Sequence, residues 1–334
     1  MQPSFRGRLP GLMVVLVLAV CACADPDVPI LPPATPTPPP APRSGSNLVI
    51  GASFPVLDPF LGSVADALRA RVGELGNVDL EIVTAEGGTD TQVDQVRAFV
   101  DEGVDAVIVV PDDTDATAPI TDLVRAAGIP LVYLNRRPSE VPADGSVPYV
   151  GSDSLDAGTM EMQALADAAG GRGTVAILIG DPANEAAVLR TEGTKDVIVD
   201  HPELRLIREA GANWDRTQAH DVVETWLNTG DTFRVVAAND DEMALGAIDA
   251  LREAGQLDAT IVGGVDGTQD GLAAIQAGQL RATVFQDAMA QGSGAVDAAI
   301  RLIHGEPVTT DAGVIDVPQR LVTIDNVTDV LAHR

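Results

Sequence analysis

From Asn47 onward the chain alternates short, almost wholly apolar runs with longer amphipathic stretches, and this alternation constrains the fold more than any other feature. The runs include Leu48-Val49-Ile50-Gly51, Leu80-Glu81-Ile82-Val83, Ala106-Val107-Ile108-Val109-Val110 and Leu131-Val132-Tyr133-Leu134. Val175-Ala176-Ile177-Leu178-Ile179, Val235-Val236-Ala237-Ala238 and Thr260-Ile261-Val262 follow. Successive side chains of a strand point to opposite faces, so a continuously apolar strand must be covered on both. Crossover helices between parallel strands supply that cover. The sequence therefore predicts α/β architecture, with doubly wound parallel sheets. The runs are too many for one sheet, which divides the body into two lobes. A weak repeat supports the division. The segment Asp105 to Asp113, a helix and Ala127-Gly128 are echoed by Arg234 to Asp241, a helix and Ala254-Gly255. Two copies of one unit facing each other make a cleft, and open α/β sheets bind ligands beyond the carboxyl ends of their strands.

The N-terminus reads as a processing signal. Arg6 and Arg8 precede the apolar run Leu12 to Val20, which is short for a permanent membrane span. The following Val20-Cys21-Ala22-Cys23 resembles a bacterial lipobox, with Cys23 the better lipidation site because the small Ala22 precedes it. Residues 1–22 are then a lipoprotein signal, and an ordinary secretory signal with incidental cysteines is the alternative. Nine prolines fall within residues 26–43. Such a segment packs no core and favours extended polyproline geometry, so 23–46 reads as the anchor cysteine and a linker. The N-terminal lobe is expected over 47–151 plus 286–312, and the C-terminal lobe over 152–285 plus 313–334.

Cys21 and Cys23 are the only cysteines, so the body has no disulfide scaffold, cysteine zinc site or iron–sulfur cluster. Forty-nine acids against 21 bases give a net charge of −28. That balance excludes a nucleic-acid binder and disfavours attraction to an anionic membrane surface.

The strand ends are polar. They carry Asp58-Pro59-Phe60, Asn135-Arg136-Arg137, Asn239-Asp240-Asp241, Val265-Asp266-Gly267 and Gln286-Asp287. Arg190 lies in the helix after Gly180-Asp181-Pro182, and Trp214 sits in Ala212-Asn213-Trp214-Asp215. Carboxylates that accept, arginines and amides that donate, and flat aromatic faces suit a neutral polyhydroxylated ligand. Each residue also has a plain structural reading. Asp240 and Asp266 fit helix caps, Phe60 and Trp226 fit core positions, and Arg190 fits a solvated helix face. The joint arrangement at strand ends is stronger than any member.

In order along the chain, these segments resemble the periplasmic sugar-binding proteins of ABC importers, of the ribose and galactose/glucose type. The densest matches are Val132 to Ser139, Tyr149 to Ser154, Trp214 to Ala219, Ala238 to Ala247 and Gly264 to Thr268, within a span from about Leu48 to Leu331. The resemblance implies the type I two-lobed fold with a multi-strand hinge, capture of a monosaccharide by hinge closure, and delivery to an ABC permease, with no enzyme activity, no cofactor and a monomer. It implies that Asp58 and Asp266 accept from sugar hydroxyls. Phe60 and Trp214 would cover opposite ring faces. Asn135 and Arg190 would donate, Arg136 would support them from behind, and Gln286 would bond a hydroxyl near the hinge.

Departures from the pattern bear on the ligand. Asp240 stands where those relatives usually have asparagine, so either the hydroxyl arrangement differs or the ligand carries a donor such as an amine. Phe54 replaces a hydroxyl-bearing residue, and Asn184 and Ala186 replace a histidine and an aspartate of the glucose type. The calcium loop has no counterpart, since Gly170 to Gly173 is short and lacks acids.

Other classes fit less well. His201, His220, His304 and His333 show no mutual metal-ligand spacing, and neither a Walker loop nor a dinucleotide fingerprint is present. The pair Asp112-Asp113 offers hydrolysis in principle, but it reads first as a solvated helix start. A repressor of related fold would need a DNA-reading segment where the export signal stands. A surface sensor for a cyclitol, amino sugar or nucleoside remains open beside the importer.

Overall fold

The computed structural model describes residues 47–332 except 87, 143 and 309–312; the signal, Cys23 and the whole of the proline-rich linker lie outside them. The first lobe opens with β1 (Leu48–Phe54), α1 (Pro59–Leu75), β2 (Val78–Thr84), α2 (Thr89–Glu102) and β3 (Ala106–Val109). It continues with α3 (Ala118–Ala126), β4 (Leu131–Leu134) and β5 (Tyr149–Gly151). The second begins with α4 (Ser154–Ala169), β6 (Arg172–Ile179), α5 (Glu185–Asp200), β7 (Glu203–Gly211) and α6 (Arg216–Asn228). Then come β8 (Val235–Ala238), α7 (Asp241–Glu253), β9 (Ile261–Asp266), α8 (Gln269–Gln276) and β10 (Ala282–Phe285). The chain closes with α9 (Ala288–Ile303), β11 (Val314–Asp316), β12 (Arg320–Val322) and α10 (Val327–Ala332). Among the described residues, no helix is long and apolar enough to cross a membrane.

One sheet has the order β11-β5-β4-β3-β1-β2 and the other β12-β10-β9-β8-β6-β7. Apart from the edge strands β11 and β12, the second order is the first advanced by five strands. The repeat legible in the sequence falls on β3-α3-β4 and β8-α7-β9. All pairings are parallel except β10 with β12, which is antiparallel. The doubly wound prediction holds, with this one edge reversed.

Both faces of each sheet are dry. In the first lobe Ile50, Ala52, Phe54, Ile108 and Val132 pack with α1 and α9, while Val107, Val109, Leu131 and Tyr133 pack with α2 and α3. In the second, Leu178, Val236 and Ala238 face α6 and α7, whereas Val175, Val235 and Ala237 face α4. Strand alternation thus feeds two cores per lobe, as continuously apolar strands require. Trp226 meets Phe233 edge-on in the second lobe, with ring centroids 5.7 Å apart.

The chain crosses between the lobes three times. From sequence, everything from 313 onward is expected in the C-terminal lobe. Instead Val314, Ile315 and Asp316 pair with Tyr149, Val150 and Gly151 in the first sheet, and β12 joins the second. The third crossing therefore lies at 317–319. A three-residue edge strand has too little pattern to show this in the sequence.

Candidate ligand-binding site

Strand ends build the site. After β1, Asp58 accepts from the Leu61 N–H at 2.7 Å and caps α1, with Pro59 in the first turn. After β8, Asp240 accepts from the Met243 N–H at 2.8 Å and caps α7. Capping fixes both carboxylates at helix N-termini and uses one oxygen of each. Asn135 follows β4, Asp266 ends β9, and Gln286 follows β10. Arg190 comes from α5 and Trp214 from the turn between β7 and α6.

These residues meet. Asp58, Phe60, Leu61, Asn135, Arg136, Ala186, Arg190, Trp214, Asp240, Asp266 and Gln286 surround one small cavity. Nine are residues the sequence pointed to. A larger groove at the seam between lobes, walled by Thr114, Pro138, Pro182, Val188 and Leu189, is mainly apolar and gathers fewer hydrogen-bonding groups.

Two expected residues lie elsewhere. Phe54 is fully buried in the first-lobe core. It shares the face of Ile50 and Ala52, because residues two apart on a strand point the same way. Asn184 precedes α5 and is buried with both side-chain amide atoms unpartnered, yet it is not part of the cavity wall. Ala186, two positions on, is.

The backbone is strained where the walls are set. Asn135, Trp214 and Asp266 have φ of 63°, 63° and 113°, left-handed values that non-glycine residues adopt at a cost. Packing holds them there. A Cβ on Gly180 would come within 2.2 Å of the Trp214 ring, so only glycine lets the indole lie against that strand end. The Arg190 guanidinium carbon stands 5.7 Å from the same ring centroid.

A hydrogen-bond chain runs from lobe to lobe and fixes the direction of each amide. Gln286 Nε2 donates to Asp266 Oδ1 at 2.6 Å, so its Oε1 is left to accept, from Gln291 Nε2 at 3.3 Å. Gln291 Oε1 in turn accepts from Asn135 Nδ2 at 3.0 Å. Asn135 therefore spends one of its two amide N–H donors on Gln291, which leaves the second N–H and Oδ1. Arg190 Nη1 donates to the Asn239 carbonyl at 2.7 Å and reaches Asp266 Oδ1 at 3.4 Å. Arg136 donates to the Pro111 carbonyl at 3.2 Å and also lines the cavity.

Gln291 is a residue that sequence reasoning missed. It is wholly buried on α9 and also donates to Ser152 Oγ at the first crossing. Asp241 is another. It accepts from Thr268 N–H, Thr268 Oγ1 and Thr283 Oγ1, binding the start of α7 to the ends of β9 and β10. Asp241 is legible only as part of the polar strand end Asn239-Asp240-Asp241, and neither role has a local sequence signal, since the partners lie far along the chain.

Burial dominates the electrostatics. It pushes the Asp58, Asp240 and Asp266 carboxyls above their ordinary range. Asp266 adds to the rise at Asp240, whereas at Asp266 the rise is opposed by Arg190 and helped by Asp241 and Asp58. Burial depresses Arg136, against the pull of Asp58, Asp112 and Asp181. Behind the site, burial pushes Glu161 up to about 8 and Asp241 up to about 6.

The lobes are latched at the cleft mouth. Thr114 N–H donates to the Ala183 carbonyl at 3.0 Å, and Thr114 Oγ1 accepts from the Glu185 N–H at 3.0 Å. A cavity walled from both lobes and closed by such contacts can sequester a small polar molecule and discriminate among its hydroxyls, because an unmatched buried partner is costly.

The family described as periplasmic binding protein domain matches residues 50–307. A putative rhizopine-binding protein of Rhizobium meliloti is 40% identical over 285 residues, covering 84% of this chain and 91% of that one. A xylitol-binding protein of Mycolicibacterium smegmatis is 34% identical over 258 residues, covering 77% and 72%. An ABC transporter solute-binding protein of Bacillus halodurans C-125, solved with bound myo-inositol, superposes with a TM-score of 0.81 at 36% identity, covering 86% of this chain and 99% of that one. With its paired sheets, inter-lobe cavity and these relatives, the chain belongs to the periplasmic binding protein family.

Proposed function

We propose that this chain captures a compact polyol in the inter-lobe cavity and delivers it to an ABC import permease from outside the cytoplasm. The observation that carries this is the convergence of nine strand-end and helix residues from both lobes on one small polar cavity. The relatives named for rhizopine and xylitol, and the neighbour holding myo-inositol, support the same class.

The sequence expectation was an aldohexose or pentose. The walls favour a carbocyclic or open-chain polyol before an aldose ring. One oxygen each of Asp58, Asp240 and Asp266 is engaged within the protein, leaving three carboxylate oxygens beside Asn135 Oδ1. A ring oxygen only accepts, whereas every heteroatom of a cyclitol or alditol is a hydroxyl that donates as well. Asp58, Asp240 and Asp266 would accept from hydroxyls, Arg136, Arg190 and Gln286 would donate, and Phe60 and Trp214 would bracket the carbon skeleton. Contacts from both lobes make ligand and closure mutually stabilising. Cys23 would carry the lipid that tethers the protein, with 23–46 as the tether.

A thermal-shift panel of myo-inositol, xylitol, glucose and ribose tests the reading. A ligand at 100 times its dissociation constant adds ~2.7 kcal/mol. The expected result is a selective upward shift with myo-inositol or xylitol that Trp214→Ala removes. A flat panel, or equal shifts in Trp214→Ala, overturns it. Radiolabelled palmitate incorporation that survives Cys23→Ala overturns the anchor.

A further inference from the structure

The first crossing between the lobes lies at 152–153, between β5 and α4, and the second at 286–287, between β10 and α9. With the third at 317–319, three strands must turn together when the lobes move. The first and third are fastened directly. Ser152 Oγ donates to the Val317 carbonyl at 2.7 Å, and the Val317 N–H donates to the Gly151 carbonyl at 2.9 Å. Gln319 Nε2 donates to the Asp153 carbonyl at 2.7 Å. The second and third adjoin paired strands of the second lobe, with Phe285 opposite Arg320. Between the first and the second, the polar link is the Gln291 side chain. Its Nε2 donates to Gln286 Oε1 at 3.3 Å and to Ser152 Oγ at 3.5 Å. An amide nitrogen has two N–H groups, so both are used.

Core packing does not call for an amide here. The buried face of α9 otherwise consists of Gly292, Ala295, Val296, Ala298 and Ala299. The alanines and Val296 pack in the first-lobe core, so α9 moves with that lobe. Gln291 is wholly buried, and a buried amide is costly unless its bonds are made. Its Oε1 accepts from Asn135 Nδ2 at 3.0 Å, while Gln286 donates onward to Asp266 at 2.6 Å. The two ends of this relay, Asn135 in the first lobe and Asp266 in the second, both line the cavity, whereas Gln291 lies behind it.

We propose that Gln291 is the positioning residue of the hinge, making the three crossings turn as one and coupling ligand contact to lobe closure. This rests on capture by closure and is independent of which polyol is captured. Opening carries Asp266 away from Asn135, so at least one bond of the relay must stretch or an amide must turn. A ligand that holds both ends in place holds the two amides between them, and with them the closed angles of the crossings. The closed form is thereby favoured by contacts that the open form lacks.

Two readouts on the purified full chain test this. The first is hydrogen–deuterium exchange without ligand. In Gln291→Leu, which keeps the bulk but not the bonds, amides at all three crossings should exchange about tenfold faster, the effect of one lost hydrogen bond on local opening. The strands at the centre of each sheet should be unchanged. Ser152→Ala cuts the same link from outside the cavity and should give the same pattern, which decides the matter if the leucine variant does not fold. Acceleration confined to α9, or spread evenly over both lobes, overturns the proposal. The second readout is small-angle scattering with saturating myo-inositol. Wild type should contract. Gln291→Leu should bind on the order of 10- to 100-fold more weakly and contract less even when saturated. Full contraction at saturation overturns the proposal, because a merely structural glutamine lowers stability without uncoupling closure. If wild type binds neither myo-inositol nor xylitol, the polyol reading fails and the exchange pattern alone decides the hinge.

Discussion

Gly158 on α4 touches no part of the cavity, yet it sets the position of Arg190. A Cβ there would lie 2.0 Å from the Arg190 carbonyl oxygen and 2.7 Å from its Cα. Ordinary contact begins near 3.4 Å, so Gly158→Ala must push α5 away by more than 1 Å. Overpacking of this kind costs about 1–3 kcal/mol, a loss of several degrees in Tm for a domain of this size. The displacement also strains the 2.7 Å bond from Arg190 Nη1 to the Asn239 carbonyl and the 3.4 Å contact with Asp266. Losing one charged hydrogen bond is worth ~1.5–3 kcal/mol, or about 10- to 100-fold in affinity. Gly73→Ala is the control. Gly73 lies in α1, and a methyl group added there would meet nothing within 4 Å, so alanine should stabilise by ~0.5–1 kcal/mol. Thermal melts and calorimetric titration with myo-inositol measure both effects. Wild-type affinity and Tm in Gly158→Ala would refute the claim that the α4–α5 contact positions Arg190.

Three further outcomes follow from the geometry. Trp226 is packed in a core whereas Trp214 lines the cavity, so a ligand-induced change in tryptophan emission should vanish in Trp214→Phe and persist in Trp226→Phe; the reverse pattern places the ligand elsewhere. Thr114→Val keeps the volume of the latch but removes the acceptor for the Glu185 N–H; it should cost ~1 kcal/mol of closure and speed ligand release about fivefold by stopped-flow fluorescence, and an unchanged release rate refutes the latch. Glu161 holds its proton up to about 8 in the folded protein, against an ordinary value of 4.5. The folded state therefore binds more protons than the unfolded chain between these values, and stability falls as pH rises through that window. The contribution is on the order of 4 kcal/mol by pH 8, so Glu161→Gln should flatten the decline in Tm between pH 5 and pH 8, and an equally steep decline refutes the assignment.

Position after an apolar run was the legible signal. Asp58, Asn135, Asp240, Asp266 and Gln286 all end or follow strands, and open parallel sheets place such residues at the cleft. The alternation that revealed the strands also determines which side chains are core. Phe54 lies on the same face as Ile50 and Ala52, a parity the sequence contains but the resemblance obscured. Capping and lining proved compatible at Asp58 and Asp240, because a carboxylate has two oxygens. What stayed hidden depends on distant partners. Gln291 joins Asn135, Gln286 and Ser152, and Gly180 matters only because Trp214 arrives from the β7–α6 turn. The direction of the Asn135 amide follows from a chain of bonds ending on Asp266. The third crossing turns on a three-residue strand that pairs with β5 rather than with its neighbours in sequence.

Whether the inter-lobe cavity is the ligand's seat can be decided by a crystal structure of the protein grown with saturating myo-inositol. One molecule is expected between Phe60 and Trp214, with its polar groups on Asp58, Asp240 and Asp266. Ligand density in the apolar groove beside Thr114 and Val188, with the inter-lobe cavity left to water, would contradict this.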